Sequence, residues 1–173
     1  MPDSKPRCKA YAGIGSRETP KDVMTKMTGI AERLSLLGYV LYSGGADGAD
    51  AAFERGATHK KIFLPWKDFN GRFEDGNEYV VPSKNLDFVN RFHPNPNGLT
   101  SGGVALMSRN TYQVLGPDLK SPVDFVLCWT KDGKASGGTG QAIRIANYYK
   151  IPVFNLKNGY DDFASFMSMQ ILA

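Results

Sequence analysis

The length, composition and charge of the chain exclude several classes of protein. Its 173 residues suffice for one domain with a hydrophobic core, and the 42% of hydrophobic residues argues against intrinsic disorder. The net charge of +4 is compatible with an anionic ligand, although lysines spread over a solvated surface would give the same value. No apolar run approaches the ~20 residues of a membrane span, and no signal peptide opens the chain, so we expect a soluble cytoplasmic protein without a membrane partner.

Strand and helix patterns alternate along the first third of the chain. Residues 9–14 form a first predicted strand, and the apolar residues after it recur at spacings of three and four, as on one face of a helix. Short apolar runs at 39–42 and 61–65 predict two further buried strands with a second helix between them.

The regular pattern breaks at about residues 66–100. Aromatic residues lie there among charges, glycines and prolines with little periodicity, namely Trp66, Phe69, Phe73, Tyr79, Phe88 and Phe92. Because so long a stretch is unusual for a bare connector, we interpret it as an irregular insertion or lid with short elements of its own. Alternatively, its aromatic side chains cover the edge of the sheet or a subunit contact.

Regular patterns return after residue 100. The sequence predicts a helix at about 102–114, a strand at 123–129, a helix ending near Tyr149, a strand at 151–155 and a closing helix at about 160–169. Five strand–helix units with strands this apolar predict an α/β fold. We expect a Rossmann-like doubly wound parallel sheet of about five strands, in the order 3-2-1-4-5, with helices on both faces. We expect residues 1–173 to form a single domain that contains the insertion.

The first predicted strand ends in a glycine-rich loop that contains Gly13, Gly15, Ser16 and Arg17. Glycines after a strand let the backbone approach a ligand, and the Arg17 guanidinium can bind two phosphate oxygens while the Ser16 hydroxyl adds a hydrogen bond. A tight turn with a solvent-exposed arginine would use the same residues, so this loop alone is weak evidence for a ligand.

The second strand is followed by a similar loop that contains Ser43, Gly44, Gly45 and Asp47. Asp47, Asp50 and Glu54 succeed one another at helical spacings, so they lie along one face near the start of a helix. We interpret Asp47 as a residue that caps this helix. Asp50 and Glu54 are candidates for binding ribose hydroxyls or for general acid–base catalysis.

A third loop, at the start of the helix after the fourth strand, consists of Ser136, Gly137, Gly138, Thr139, Gly140 and Gln141. Three glycines and two hydroxyls at a helix amino terminus predict a phosphate-binding nest. Arg109 and Asn110 lie in the preceding helix, where they are either an exposed pair or point toward the ligand.

The predicted strand order brings these loops together. Strands one and four are neighbours in the order 3-2-1-4-5, so the loops after them face one crevice at the carboxyl ends of the strands. We therefore predict a site for a phosphate-bearing nucleotide or nucleoside derivative in this crevice. No spacing of metal ligands and none of the common zinc, P-loop or nucleophile motifs occurs, so we predict no metal and no cofactor.

The order of the three loops and of the Arg109–Asn110 pair resembles the SLOG superfamily, over about residues 9–156 without the insertion. This superfamily joins the DNA-processing proteins Smf/DprA to the LOG-type phosphoribohydrolases, and the chain looks most similar to small SLOG proteins of bacteriophages. The resemblance implies a Rossmann-like fold and, because many members are dimers, a homodimer or larger homo-oligomer. For a viral protein the compartment would be the host cytoplasm.

The resemblance to the LOG-type enzymes is incomplete at their hallmark, PGGxGTxxE. Aligned on the glycines, this chain has Ser136 for the proline, Gln141 for the threonine and Arg144 for the glutamate that takes part in catalysis. Since an arginine cannot act as a carboxylate, enzymatic activity stays open, with Glu54 or Asp50 as substitutes from the facing loop.

Three functions are compatible with these residues. The first is binding of a nucleotide or an ADP-ribose-like ligand, as a sensor of a signalling nucleotide or as a protein that sequesters one. The second is a LOG-like nucleoside 5′-monophosphate N-glycosidase. The third is a DprA-like accessory protein that binds single-stranded DNA. The small excess of positive charge and the short chain rank this function below the other two.

Overall fold

The computed structural model describes residues 7–72, 76–81 and 85–172. They contain a six-stranded parallel sheet in the order β4-β3-β2-β1-β5-β6. The strands are β1 (Ala10–Gly13), β2 (Val40–Ser43), β3 (Lys60–Leu64), β4 (Glu78–Val80), β5 (Phe125–Cys128) and β6 (Val153–Asn155). The α-helices are α1 (Lys21–Leu36), α2 (Ala49–Gly56), α3 (Leu86–Phe92), α4 (Ser101–Leu115), α5 (Gly137–Tyr148) and α6 (Asp161–Leu172).

The α/β class and the parallel sheet flanked by helices agree with the sequence prediction, but the sheet has six strands rather than the predicted five, so its full order differs from 3-2-1-4-5. The five predicted strands correspond to β1, β2, β3, β5 and β6 and keep their predicted relative order. The sixth strand is β4, which lies within the 66–100 insertion and pairs with β3 at the edge of the sheet, with Phe63 opposite Tyr79. Glu78, Tyr79 and Val80 of β4 do not lie in an apolar run like those that mark the other strands in the sequence. β1 lies between β2 and β5, with Tyr11 opposite both Leu41 and Phe125.

The core consists of two layers, one on each face of the sheet. Side chains alternate along the strands, so Ala10 and Ala12 of β1 face one layer and Tyr11 faces the other. The layer under Tyr11 packs against α1, α2 and α6, and the opposite layer packs against α3, α4 and α5. Near-continuous apolar strands are therefore required, because both faces of the sheet are covered.

Phe125 of β5 is the centre of an aromatic cluster under the sheet. It is completely buried, and its ring contacts those of Tyr11, Tyr39, Phe154, Phe163 and Phe166 at centroid distances of 5.4–6.4 Å. Burying a phenylalanine side chain contributes roughly 2–3 kcal/mol to the free energy of unfolding. This cluster packs β5 against β1, β6 and α6. It therefore supports the strand whose following loop lines the crevice.

The described parts of the 66–100 segment lie against the sheet and its helices. β4 extends the sheet at its edge, and α3 packs against α4 and α5. Phe69 is buried beside Ile62 and Leu64 of β3, whereas Trp66 and Tyr79 keep large exposed surfaces. Phe73 lies outside the described residues.

The described residues contain neither a helix that could span a membrane nor a cluster of metal ligands. None of their helices is long and apolar enough to cross a membrane. Within the same part of the chain, His, Cys, Asp and Glu residues form no group of three or more that could hold a metal ion.

Candidate functional site

A crevice of about 600 Å³ lies at the carboxyl ends of β1, β2 and β5. Its position is where the strand order reverses around β1, the usual place for ligands in open α/β sheets. The lining residues are Ile14, Gly15, Ser16, Arg17, Glu18, Ala46, Asp50, Leu106, Met107, Arg109, Asn110, Gln113, Thr130, Lys131, Ser136, Gly137, Gly138 and Thr139.

Many of the predicted site residues line this crevice, but not all. Those in the lining are Gly15, Ser16, Arg17, Asp50, Arg109, Asn110, Ser136, Gly137, Gly138 and Thr139. Those outside the lining are Gly13, Ser43, Gly44, Gly45, Asp47, Glu54, Gly140 and Gln141. Several residues of the second set make hydrogen bonds within the protein that hold the glycine-rich loops in place.

The loop after β1 presents a free cation at the rim of the crevice. The Ser16 N–H donates to the carbonyl oxygen of Trp129 at 3.1 Å, which ties this loop to the end of β5. The Ser16 hydroxyl accepts from the Glu18 N–H at 3.0 Å and so stabilises the turn. Arg17 is exposed and makes no hydrogen bond or ion pair with any residue that the structure describes, so its guanidinium is available to an anion.

Asp50 lies at the floor of the crevice, at the start of α2. Its carboxylate accepts hydrogen bonds from the N–H groups of Gly44 at 3.2 Å and Ala46 at 3.4 Å. It is 3% exposed, and burial raises its pKa to about 6, although nearby Arg109 and the backbone hydrogen bonds act in the opposite direction. Asp50 therefore shapes the second glycine-rich loop and also carries a proton more readily than an ordinary aspartate.

The other polar residues of the second loop are engaged within the protein. The Ser43 hydroxyl donates to the carbonyl oxygen of Gly13 at 2.6 Å, which joins β2 to β1. Asn70 donates to the carbonyl oxygen of Gly45 at 3.0 Å and to Asp47 at 3.2 Å. The prediction that Asp47 caps α2 is wrong, because Asp47 binds the turn after β3 and α2 has no side-chain cap at its amino terminus.

Glu54 lies away from the crevice in a group of ion pairs. Its carboxylate accepts from both terminal nitrogens of Arg72 at 2.7 and 2.8 Å and from Lys60 at 3.3 Å. Arg72 also contacts Glu78 of β4 at 2.7 Å. These contacts join α2 to the edge of the sheet, and the structure does not bring Glu54 together with the other predicted ligand residues.

The pair Arg109–Asn110 connects the second and third loops from α4. Arg109 is 7% exposed and donates to the carbonyl oxygen of Gly44 and to the side chain of Asn110, the latter at 3.2 Å. Asn110 in turn donates to the carbonyl oxygen of Gly138 at 2.8 Å. The sequence left open whether the two side chains are exposed or point inward, and the structure places them inward.

The third loop leaves the amino terminus of α5 open to the crevice. The Ser136 hydroxyl donates to Asp132 at 2.6 Å and makes no capping hydrogen bond to the helix. The N–H groups of Gly137, Gly138 and Thr139 have no hydrogen-bond partner among the described residues. Gly137 has a φ of +61°, a conformation that other residues rarely adopt. Three N–H groups and the positive end of the helix dipole therefore face the cavity.

Gln141 and Arg144 point away from the crevice. Gln141 donates to the carbonyl oxygen of Phe88 at 3.3 Å, and Arg144 donates to that of Phe92 at 2.6 Å. Arg144 also donates to the Gln141 side chain at 3.1 Å. Arg144, which stands where the LOG-type enzymes have their catalytic glutamate, thus connects α5 to α3.

Four polar residues of the lining were not among the predicted site residues, namely Glu18, Gln113, Thr130 and Lys131. Gln113 follows Arg109 by four residues and so lies on the same face of α4, a spacing that could have identified it. Lys131 follows β5 at the rim, where it lies 4.0 Å from Glu18.

Comparisons with known proteins support the fold alone. No protein-family model matches the sequence, and no curated protein matches it significantly. Among solved structures, the chain is similar to DNA processing protein A from Helicobacter pylori, which has been studied for its single-stranded DNA binding mode. The TM-score is 0.58 at 16% sequence identity, over 91% of this chain and 74% of that one. The two proteins therefore share a fold.

Proposed function

We propose that this protein binds single-stranded DNA, with the phosphate backbone at the rim of the crevice and an unpaired nucleotide inside it. The observation that carries this proposal is that one crevice is lined both by the guanidinium of Arg17, which has no partner among the described residues, and by the open amino terminus of α5. The fold shared with DNA processing protein A, a protein with a single-stranded DNA binding mode, gives independent support.

The rim has the chemistry that phosphate requires. Arginine forms charge-assisted hydrogen bonds to phosphate oxygens, and unpaired N–H groups at a helix start bind anions without a side chain. The hydrogen bond between Ser16 and Trp129 holds the loop of Arg17 beside the end of β5, from which the chain continues to α5. Both donors thus belong to loops that line the same crevice.

The interior of the crevice suits a base rather than a second phosphate. Ile14, Leu106 and Met107 give it apolar walls, and the buried carboxyl group of Asp50 lies at its floor. A cavity of about 600 Å³ is in the range of sites for small organic ligands. A base within a duplex is stacked and paired, so only an unpaired nucleotide enters such a pocket without an unstacking cost.

A free nucleotide or ADP-ribose-like ligand is the second candidate. The same concave cavity and the same phosphate donors would hold a single nucleotide, and such a protein would act as a sensor or would sequester the ligand. The N-glycosidase has less support, because Glu54 is engaged by Arg72 and Lys60 and Arg144 faces α3. Asp50 alone would have to serve both as acid and as base.

Fluorescence anisotropy with a labelled 12-nucleotide oligothymidylate tests the first proposal. We expect saturable binding that weakens as salt increases, and weaker binding of a duplex of equal length. Arg17→Ala should lower the affinity by about tenfold, since it removes a charge-assisted contact. Arg33→Ala in α1 changes the net charge equally at an exposed position outside the crevice lining, and it should leave the affinity unchanged.

A second variant addresses the amino terminus of α5. A Cβ atom at Gly138 would meet only the methyl group of Met107, at 3.5 Å, so a side chain fits there. Gly138→Asp should favour the helix dipole and preserve stability, but its carboxylate should repel phosphate and abolish DNA binding. If neither this variant nor Arg17→Ala weakens binding, the proposed phosphate site is wrong. Thermal shifts with AMP and ADP-ribose test the second candidate.

A further inference from the structure

Two buried glutamines of this protein differ in how their side chains are paired. Gln141 is 0% exposed, and its carboxamide both donates to the carbonyl oxygen of Phe88 and accepts from Arg144. Gln113 is 2% exposed, and its Oε1 has no hydrogen-bond partner among the described residues. Gln113 lines the crevice, whereas Gln141 does not. The unpaired carboxamide therefore belongs to a residue of the crevice lining, and the paired one does not.

The surroundings of Gln113 hold its side chain at the floor of the crevice. It lies one turn of α4 after Arg109, and both side chains pack against Gly44, where a Cβ atom would collide with them. The N–H of Gly44 is itself bound to Asp50. A buried polar group without a partner destabilises the folded state. Because Gln113 lines the crevice, a ligand bound there would be the source of the missing hydrogen bond.

We propose that Gln113 hydrogen-bonds to the base of the nucleotide inside the crevice and so makes the site selective for an unpaired base. This inference rests on the proposed binding of single-stranded DNA. The carboxamide accepts through Oε1 and donates through Nε2, so it can pair with the N–H and carbonyl or ring-nitrogen groups at the edge of each of the four bases.

Other parts of a DNA strand do not match Gln113. Phosphate has no N–H or O–H to donate at neutral pH, and its approach to the floor is disfavoured by the carboxyl group of Asp50. Within a strand both sugar hydroxyls are esterified, so the bases supply the hydrogen-bond donors. In a duplex those base edges are paired with each other. Recognition by Gln113 therefore selects single strands without selecting a sequence.

A double-mutant cycle tests this contact directly. The affinities of the wild type and of Gln113→Leu are measured for the 12-nucleotide oligothymidylate and for an abasic oligonucleotide of the same length. We expect Gln113→Leu to lower the affinity for oligothymidylate by about tenfold and that for the abasic strand by less than about twofold. Arg17→Ala should weaken binding of both strands equally, because both carry the same phosphates.

Stability in the absence of DNA gives a second readout and checks that the variants fold. Gln113→Leu removes an unpaired buried amide, so its melting temperature should equal or exceed that of the wild type. Gln141→Leu, the matched control, breaks two hydrogen bonds and should lower the melting temperature. If Gln113→Leu is destabilised as much as Gln141→Leu, the Gln113 amide is a structural group and the inference is wrong.

The outcomes separate this inference from the proposed function. An equal loss of affinity on both strands, or no loss on either, would refute the role of Gln113 while leaving single-stranded DNA binding intact. If the wild type binds neither strand, the proposed function and the inference fail together. A loss confined to the strand that carries bases supports both.

Discussion

The side chain of Asn110 donates a hydrogen bond of 2.8 Å to the carbonyl oxygen of Gly138, which joins the middle of α4 to the first turn of α5. Its neighbour Arg109 binds the carbonyl oxygen of Gly44 in the loop after β2. Two consecutive residues therefore connect the loops on both sides of the crevice. This arrangement fixes the N–H groups of α5 before a ligand arrives, which lowers the entropic cost of binding.

Removal of this connection should affect both stability and binding. We expect Asn110→Ala to lower the free energy of unfolding by about 1–2 kcal/mol, because a part-buried carbonyl loses its donor and Arg109 loses an acceptor. DNA affinity should fall because the start of α5 is no longer held. Urea unfolding and anisotropy measure the two effects, with the exposed Asn147→Ala as control. Equal stability of the two variants would contradict this role of Asn110.

The raised pKa of Asp50 predicts a dependence of stability on pH. The carboxyl pKa is about 6 in the folded state against an ordinary value of 3.8, so the folded chain binds this proton more tightly than the unfolded chain. The carboxyl group thus favours folding most below pH 3.8, and this contribution is lost as the pH rises through about 6.

Asp50→Asn removes this titration. The free energy of unfolding of Asp50→Asn relative to the wild type should therefore rise by roughly 2–3 kcal/mol between pH 4 and pH 7. Urea unfolding at intervals of one pH unit measures the difference, in which the titrations common to both proteins cancel. A difference that stays constant over this range would show that Asp50 titrates normally.

The position of Glu54 predicts a structural rather than a ligand-binding role. Glu54→Gln should lower the free energy of unfolding by about 1–3 kcal/mol, because the part-buried Arg72 loses one of its two charged partners. Its affinity for oligothymidylate should equal that of the wild type. Glu32→Gln, an exposed change of the same kind in α1, serves as control for stability. A loss of DNA binding without a loss of stability would restore Glu54 as a ligand residue.

The parts of the site that could be predicted are those that depend on local chain conformation. Glycines and hydroxyl residues at strand ends and helix starts, such as Gly15, Ser16 and Gly138, indicate loops that approach a ligand. The position of β1 beside β5 then brings two of these loops to one edge of the sheet. The strand count was wrong because β4, with the sequence Glu78-Tyr79-Val80, lies in no apolar run.

Other assignments depend on partners that lie far away in the sequence. Asp50 and Glu54 are one helical turn apart and look equivalent as candidates, yet only Asp50 faces the crevice. Arg72, in the irregular segment, reaches back to Glu54 and engages its carboxylate. Local spacing places two side chains on one face of a helix, but it cannot say which of them meets a cation from another element.

An α/β chain with a parallel sheet and glycine-rich loops at the strand ends follows from the sequence alone, because apolar periodicity and backbone conformation are local properties. Which polar side chains find partners within the protein depends on the tertiary structure. Gln141 and Gln113 are both buried glutamines on helices, but Arg144 and Phe88 pair the first, whereas Oε1 of the second has no partner among the described residues and Gln113 lines the crevice. Hydrogen-bond satisfaction depends on contacts between distant segments, so the residue best placed to meet a base emerged from the fold alone.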